Sequence, residues 1–454
     1  MRMPVLLVCV CLATGCASLQ PIEETALSEG IPERWTSETV LNELPIAADF
    51  LELVDAESLR ELVHEALENN PDLGATAKRL AAQEYLLGLT RAPMRPRVQG
   101  GLNSDRNDLD TGAYNNHRAT IGVSWELDLW GRLADEHAAG RGAYLAAERD
   151  WQRARDALAA RVIQTWIEQV TFRRAVTIEN ERVEVLRKVE LLLTERYRDG
   201  TGNLDELSSA RSRREIAKAD LALQQAALNE SVRRLELLVG RFPEGKLVSS
   251  EGLPIVRTAV ANVPVETLKN RPDVQAAFAR VESAQRAARS AKKEALPSLR
   301  FSGDIFREGA QLSSLGGVAN QWSLLGSLFQ PLFEGGRIQS VSRARISEVE
   351  AVLLDLRSVV LQAFKEVEDV MDVEKSLRAQ AEALTVAAED SELSSRYYED
   401  RYRKGLDSLQ SMLIAKEQEM AVKLRLNDVR GRTLINRVNL ALTLGTSVKT
   451  GDIL

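Results

Sequence analysis

From Thr120 to Trp130 the chain reads TIGVSWELDLW, and apolar and polar positions alternate along it without a break. Ile121, Val123, Trp125, Leu127 and Leu129 fall on one side; Thr120, Gly122, Ser124, Glu126 and Asp128 fall on the other. In an extended strand this gives one apolar face and one face carrying two carboxylates. The length suits a tilted strand crossing a bilayer, about 9–11 residues. Val123, Trp125 and Leu127 are therefore expected to face lipid, and Ser124, Glu126 and Asp128 a wet lumen. Gly131-Arg132 follow, and from Leu133 to Asp199 there is no proline, which predicts a helical rod of roughly 100 Å.

The flanking segments complete the picture. Helical spacing starts near Ala56, with Leu59, Leu62, Val63, Ala66 and Leu67. Asn69-Asn70-Pro71-Asp72 interrupts it, and Asp72 is a candidate cap for a helix over 73–91 that Pro93 and Pro96 end. Val98, Gly100 and Leu102 then alternate with Arg97, Gln99, Asn103 and Asp105. A polar loop over Asn107 to Arg118 is expected to join this strand to the first one, giving a hairpin at about 97–130. Beyond the turn Gly200-Thr201-Gly202-Asn203, a helix returns over Leu204–Val239. Leu207, Leu221, Leu228 and Leu235 fall seven apart, with Arg214 in the missing slot and Ala210, Ala217 and Leu238 as companions, a coiled-coil seam.

The pattern then repeats. Asn270-Arg271-Pro272-Asp273-Val274 matches Asn70-Pro71-Asp72-Leu73 at an offset of 201, and Arg401-Tyr402-Arg403-Lys404-Gly405 matches Arg196-Tyr197-Arg198-Asp199-Gly200 at 205. Leu299, Phe301 and Ile305 alternate with Arg300, Ser302 and Asp304. A fourth strand, Gln321 to Phe333, is weaker: Trp322, Leu324 and Leu328 share a face, Leu325 and Phe329 lie on the other, and Pro331 limits pairing. A tandem duplication follows. Repeat 1 spans 56–242, with a long helical hairpin at 133–239. An irregular segment covers 243–262. Repeat 2 spans 263–445, with a hairpin at about 298–333 and helices at 337–443, and a tail covers 446–454. Four strands cannot close a barrel, since the smallest membrane barrels have eight, so strands must be pooled among copies.

Composition agrees with long helices: 28% of residues are charged and only 5% aromatic. A net charge of −7 proposes no nucleic-acid partner. Arg2, the apolar run Val5 to Leu12 and the small residues Ala13-Thr14-Gly15 before Cys16 read as a signal segment at 1–15. It resembles a bacterial lipoprotein signal, with Cys16 as the acylated mature terminus of a linker over 16–55. Cys9 and Cys11 would leave with the signal, so no disulfide or cysteine metal site follows. No later run is long and apolar enough for a membrane helix, which leaves strands. His64, His117 and His137 form no ligand set, and no nucleophile stands beside a base, so neither cofactor nor catalysis is expected. Glu366, Glu368 and Asp369 read as a solvated helix face.

At DLWGR, PLFEGGR, the doubled RYR-x-G turn and the NPDL/RPDV pair, the sequence resembles the TolC-like outer membrane efflux proteins. The signal points to the NodT-type lipoproteins of resistance-nodulation-division systems. The resemblance implies an α+β membrane protein: a homotrimeric 12-stranded barrel continued by a 12-helix tunnel. It also implies a passive exit duct fed by an inner-membrane pump through a periplasmic adaptor; a duct for protein secretion, or a coiled-coil structural or adaptor lipoprotein, is the rival reading. It places the entrance at the helix turns, 196–210 and 401–416, with Tyr402 and Glu206 as neighbouring tip residues. The second tip departs from the family pattern, reading SMLIA with Ser411 and Ile414 where acids are usual. Asp205, Glu206 and Asp407 are expected to replace the acidic ring. Asp407 would repel Glu206, leaving an entrance held mainly by Leu406, Leu409 and Met412.

Overall fold

The computed structural model describes residues 31–36, 46–47, 56–109, 112–249, 251–254, 256, 258–259 and 264–448. The signal segment, Cys16, most of the linker and the end of the tail lie outside these. In chain order the first half holds β1 (Ile46–Ala47), α1 (Glu57–Asn69), α2 (Pro71–Arg91), β2 (Arg97–Leu109), β3 (Gly112–Leu127), α3 (Arg132–Arg198) and α4 (Leu204–Leu238). The second half holds β4 (Thr258–Ala259), α5 (Pro264–Asn270), α6 (Pro272–Lys293), β5 (Ser298–Gly309), β6 (Gln321–Phe329), α7 (Arg337–Arg403) and α8 (Leu409–Thr443). The long helices match in length between halves: α3 and α7 have 67 residues each, α4 and α8 have 35.

Two compact units are formed. One takes in Leu80–Glu148 and Ala276–Ser358 and contains the four-stranded sheet. Its order is β2-β3-β5-β6, every neighbour antiparallel, and β2 and β6 are left as unpaired edges. The expected loop over Asn107 to Arg118 is strand instead: Asn107 pairs with Tyr114 and Asp105 with Asn116. Polarity there signals only that this part of the hairpin needs no apolar face; ladder bonds carry the backbone regardless of side chain. At the other end β3 stops at Leu127 and β6 at Phe329, short of the expected Trp130 and Phe333.

The elbow between β3 and α3 explains the early stop. Asp128 turns off the strand, and its carboxylate accepts from the backbone N–H groups of Leu133 (3.1 Å) and Ala134 (2.8 Å). These donors have no partner inside the helix, and a carboxylate there also meets the positive end of the helix dipole. Gly131 makes the bend at a φ of 69°. Lys293 of α6 holds it from outside, donating to Gly131 O (3.1 Å) and Asp135 Oδ2 (2.6 Å).

The other unit takes in Pro32–Arg79, Arg149–Gln275 and Val359–Leu454. Its core gathers Leu59 and Val63 of α1, Ile163, Trp166 and Ile167 of α3, Leu235 of α4, Met371 of α7 and Leu440 of α8, all essentially inaccessible. Trp35 is buried against it, stacked on Phe364 at 5.0 Å. The α4 seam is as the heptads predict at Leu207, Ala210, Ala217, Leu228 and Leu235, all buried, while Arg214 in the odd slot pairs with Glu190.

Asn70, and not Asp72, caps α2. Its Oδ1 accepts from Leu73 N at 3.0 Å, and its Nδ2 donates to Leu238 O at the end of α4, also at 3.0 Å. In the second half Arg271 stands in the corresponding place and donates to Thr443 O at the end of α8 (3.1 Å). That buried guanidinium also binds Asp273 (2.8 Å) and Glu366 (2.7 Å). Burial alone would raise the Asp273 carboxyl, but Arg271 holds it below the usual carboxylate range. Glu366 is therefore part of a helix-end lock, a correction to its reading as a solvated face, and Glu368 accepts from Thr36 N (2.8 Å). Close packing beside the Asn70 cap requires glycine after α4: a Cβ on Gly240 would lie 2.5 Å from Asn69 O.

Candidate functional site

The ladder turns the alternation of single strands into a continuous band. Across the sheet, Val98 lies opposite Val123, Val123 opposite Gly303, and Gly303 opposite Leu324. The neighbouring rows join Trp125, Phe301 and Gly326, and Ile121, Ile305 and Trp322. Leu127, Leu299 and Leu328 form the lowest row. Every member of these rows is apolar, and in the single chain the band is open: Trp322 is 77% and Leu324 74% exposed. A patch this size on one sheet face marks contact with lipid or with protein.

The opposite face is polar. Arg97 lies opposite Ser124, Ser124 opposite Ser302, and Glu126 opposite Arg300. Of the residues expected on the wet face, Ser124 and Glu126 are there, and Asp128 has left the strand to cap α3. Glu126 is engaged: Arg132 donates to it at 2.6 Å and Arg300 lies 3.5 Å away. Higher up, Glu308 accepts from Asn116 (2.8 Å), and the Arg118 guanidinium sits 3.7 Å over the Phe306 ring. β6 fits this division least well, for Leu325 and Phe329 fall on the polar face.

Both long hairpins turn in the same way. Gly200 and Gly405 adopt φ values of 72° and 70°. Thr201 N bonds back to Arg196 O, and Leu406 N to Arg401 O, at 2.9 Å in each case. This closes each helix with a left-handed glycine. The return helices are capped unequally. Ser408 Oγ accepts from Ser411 N at 3.1 Å, whereas Asn203 makes no side-chain cap.

The expected tip residues separate into two groups. Asp205 and Glu206 lie exposed in the first turn of α4, where the helix dipole favours them. Neither forms an ion pair with a described residue, and within the chain no hydrogen bond joins Tyr402 to Glu206. Asp407 is different. Arg401 Nε donates to its carboxylate (3.2 Å) and Arg401 also reaches Leu406 O (3.0 Å), so the acid expected to stand free is clasped by its own hairpin. The Ser408 N–H, the Ser411 hydroxyl and Arg401 together hold the Asp407 carboxyl below its ordinary value. Leu409 and Met412 pack inward against Leu186, Val189, Leu193 and Leu207. Leu406 alone of the three expected apolar contacts remains open, 61% exposed.

Sequence reasoning missed Arg401, Ser408 and the Arg213–Glu417 pair that ties the two hairpins together near their tips. A signal for the clasp was present. Aligning RYRDGTGN with RYRKGLDS puts Gly202 where the second tip has Asp407, so only one tip can form it.

The model of the family described as outer membrane efflux protein matches residues 62–241 and 263–446. The cation efflux system protein CusC of Escherichia coli is 26% identical over 453 residues, covering 96% of this chain and 97% of its own. The outer membrane protein OprJ of Pseudomonas aeruginosa is 25% identical, covering 96% and 94%. Among solved structures, the open state of the MtrE channel of Neisseria gonorrhoeae superposes with a TM-score of 0.84 at 21% identity, over 92% of this chain and 96% of its own. VceC of Vibrio cholerae gives 0.81 at 21% identity, over 89% and 100%. These likenesses establish the fold, and the family model supplies the assignment: the chain belongs to the outer membrane efflux protein family, the outer-membrane components of tripartite efflux systems.

Proposed function

We propose that the chain works as a homotrimeric exit duct, a 12-stranded barrel in the outer membrane leading from a periplasmic tunnel of long helices. The observation that carries this reading is the sheet: an apolar band across one face, a polar face behind it and two unpaired edges. Buried in lipid, the unpaired edge groups would cost several kcal/mol each, so a membrane sheet must close. All neighbours being antiparallel, β6 of one copy meets β2 of the next antiparallel, and repeating that heterologous contact makes a ring. The matching helix lengths in the two halves support descent of the chain from a duplicated unit, with repeat 1 at 56–242 and repeat 2 at 263–445.

The duct is passive, fed by a periplasmic adaptor and an inner-membrane pump of the resistance-nodulation-division type, with drugs and other toxic small molecules as cargo. The CusC relative is named for cation efflux and the OpmQ relative for pyoverdine export, so relatives of similar identity carry unlike cargo. Specificity therefore sits in the pump. Acylation of Cys16 anchors the mature terminus to the outer membrane, and Tyr402, Asp205, Glu206, Asp407 and Leu406 surround the periplasmic entrance. The test is purification from outer membranes followed by planar-bilayer recording. A heat-modifiable trimer with discrete conductance steps is expected; a monomer that conducts nothing would overturn the duct.

A further inference from the structure

The polypeptide entering β2 carries three arginines that the fold itself does not use. Arg91 closes α2, Arg95 follows a short turn, and Arg97 begins the strand. Together with Arg300, Ser124 and Glu126 they line an open cleft of about 680 Å³ at the foot of the sheet. Glu126 is the only acid among the residues lining it, and Arg132 and Arg300 already share that carboxylate. Arg91, Arg95 and Arg97 form no ion pair or side-chain hydrogen bond with any described residue, and all three are exposed.

Register fixes the side on which this charge lies. Arg97 is opposite Ser124 and Arg300 opposite Glu126, so the strand-borne arginines belong to the polar face, away from the apolar band. The three guanidiniums line one cleft, where like charges repel, and an anion bound there offsets that repulsion. Guanidinium is suited to the task because its planar fork pairs two donors with two oxygens of a phosphate or carboxylate. Ser124, also lining the cleft, offers a neutral hydroxyl donor.

We propose that this cleft is an anion site, taking the phosphate or carboxylate group of a solute in the duct or of a lipid headgroup at its base. Access from the lumen rests on the duct reading above. In a ring of copies the site recurs at each chain, making a basic collar where barrel and helices join.

The experiment uses the full-length assembled protein in two arms. In bilayers of phosphatidylcholine, sodium pyrophosphate is titrated against single-channel current. In nanodiscs of mixed phosphatidylcholine and phosphatidylglycerol, native mass spectrometry reads which lipid stays bound. The variant is Arg91→Gln/Arg95→Gln/Arg97→Gln, with the triple Lys replacement as the conservative control. Because these side chains hold nothing in the chain, the Gln variant is expected to assemble with its open conductance intact. That conductance reports the duct separately from the site. A rise of about tenfold in the half-blocking pyrophosphate concentration, with lipid retention unchanged, identifies solute anions as the ligand. Loss of phosphatidylglycerol enrichment with block unchanged identifies headgroups. The Lys variant falls between wild type and Gln in whichever arm responds. No difference between wild type and the Gln variant in either arm overturns the site.

Discussion

At the second tip one acid sets the form of the turn. Asp407 takes the Ser408 N–H and the Arg401 guanidinium, and Arg401 in turn holds the Leu406 carbonyl. With Arg401 as its partner, Asp407 is not the free anion that would repel Glu206. Asp407→Arg sets two guanidiniums against each other and is expected to open the turn, raising single-channel conductance in planar bilayers. Tyr402→Phe should leave conductance within its normal spread, since the Tyr402 hydroxyl makes no hydrogen bond with any described residue. Lower conductance in Asp407→Arg would show that the charge acts across chains on Glu206 instead. A second acid gives a prediction in pH. Glu419 of α8 is buried; burial alone would raise its carboxyl, but Lys416 (2.8 Å), Lys423 (2.5 Å) and Ser395 bring it down to about 2, from 4.5. A depressed carboxylate stabilises the folded state fully above its unfolded value and loses that contribution as pH falls towards the folded one. The contribution, on the order of 3 kcal/mol, is therefore complete above about pH 4.5 and fades towards pH 2. Glu419→Gln should lower the melting temperature of the helical signal at pH 7 and converge with wild type near pH 2. An offset that stayed constant across this range would deny the linkage.

At the scale of elements, the strands offer the sharpest contrast, because adjacent residues of β3 fall on opposite faces of the sheet. Val123 sits in an unbroken apolar row, and Ser124 lies between Arg97 and Ser302 on the polar side. An arginine facing lipid near mid-bilayer costs roughly 2–4 kcal/mol per chain. Val123→Arg should therefore cut the yield of heat-modifiable oligomer in outer membranes. Ser124→Arg should assemble normally and shift ion selectivity towards anions, read as a reversal potential. Equal damage from both would mean the two faces have been misassigned. The same elements show how far the sequence could be read. Period-two alternation places Val123, Phe301 and Leu328 on one face because each strand has one oily and one wet side. It fails over Asn107 to Arg118, where neither face is oily and the ladder alone holds the strands. It fails again at Asp128, whose place in the alternation was right but whose carboxylate is drawn to the free N–H groups of α3. The Arg271 lock was illegible for another reason, and the Asp407 clasp was legible only as a difference between the two tips, not as a bond. Each joins residues whose meeting depends on a turn or on packing, which periodicity does not encode.

At the scale of the whole molecule, the helices leave as much unfinished as the sheet does. Bonds link α4 to α3 through Arg182 and Asp220 (3.0 Å), α3 to α8 through Asn427 and Thr171 O (2.9 Å), and α8 to α7 through Arg437 and Glu374 (3.1 Å). α4 also reaches α8 through the Arg213–Glu417 pair. Among the described residues nothing covers an apolar stripe on α4 and another on α7: Ile216, Leu223 and Leu237 on α4, and Leu361, Val386 and Leu393 on α7, are between 54% and 67% exposed. Leu223 follows Ile216, and Leu393 follows Val386, by seven residues, the spacing a further helix needs in order to pack knobs into holes. In an assembly of copies, a helix of the neighbouring chain laid over these stripes would meet both deficits. Burying a leucine is worth about 1.5–3 kcal/mol, and the ring repeats the gain at every seam. Leu223→Glu should therefore lower the temperature at which the oligomer dissociates on semi-native gels, or prevent assembly in mild detergent. Leu223→Met should change it little, and Gln225→Glu, exposed on the same helix but outside the stripe, should be silent. If Leu223→Glu and Gln225→Glu left dissociation equally unaffected, the stripe would not be the seam, and the ring would have to close through the sheet alone.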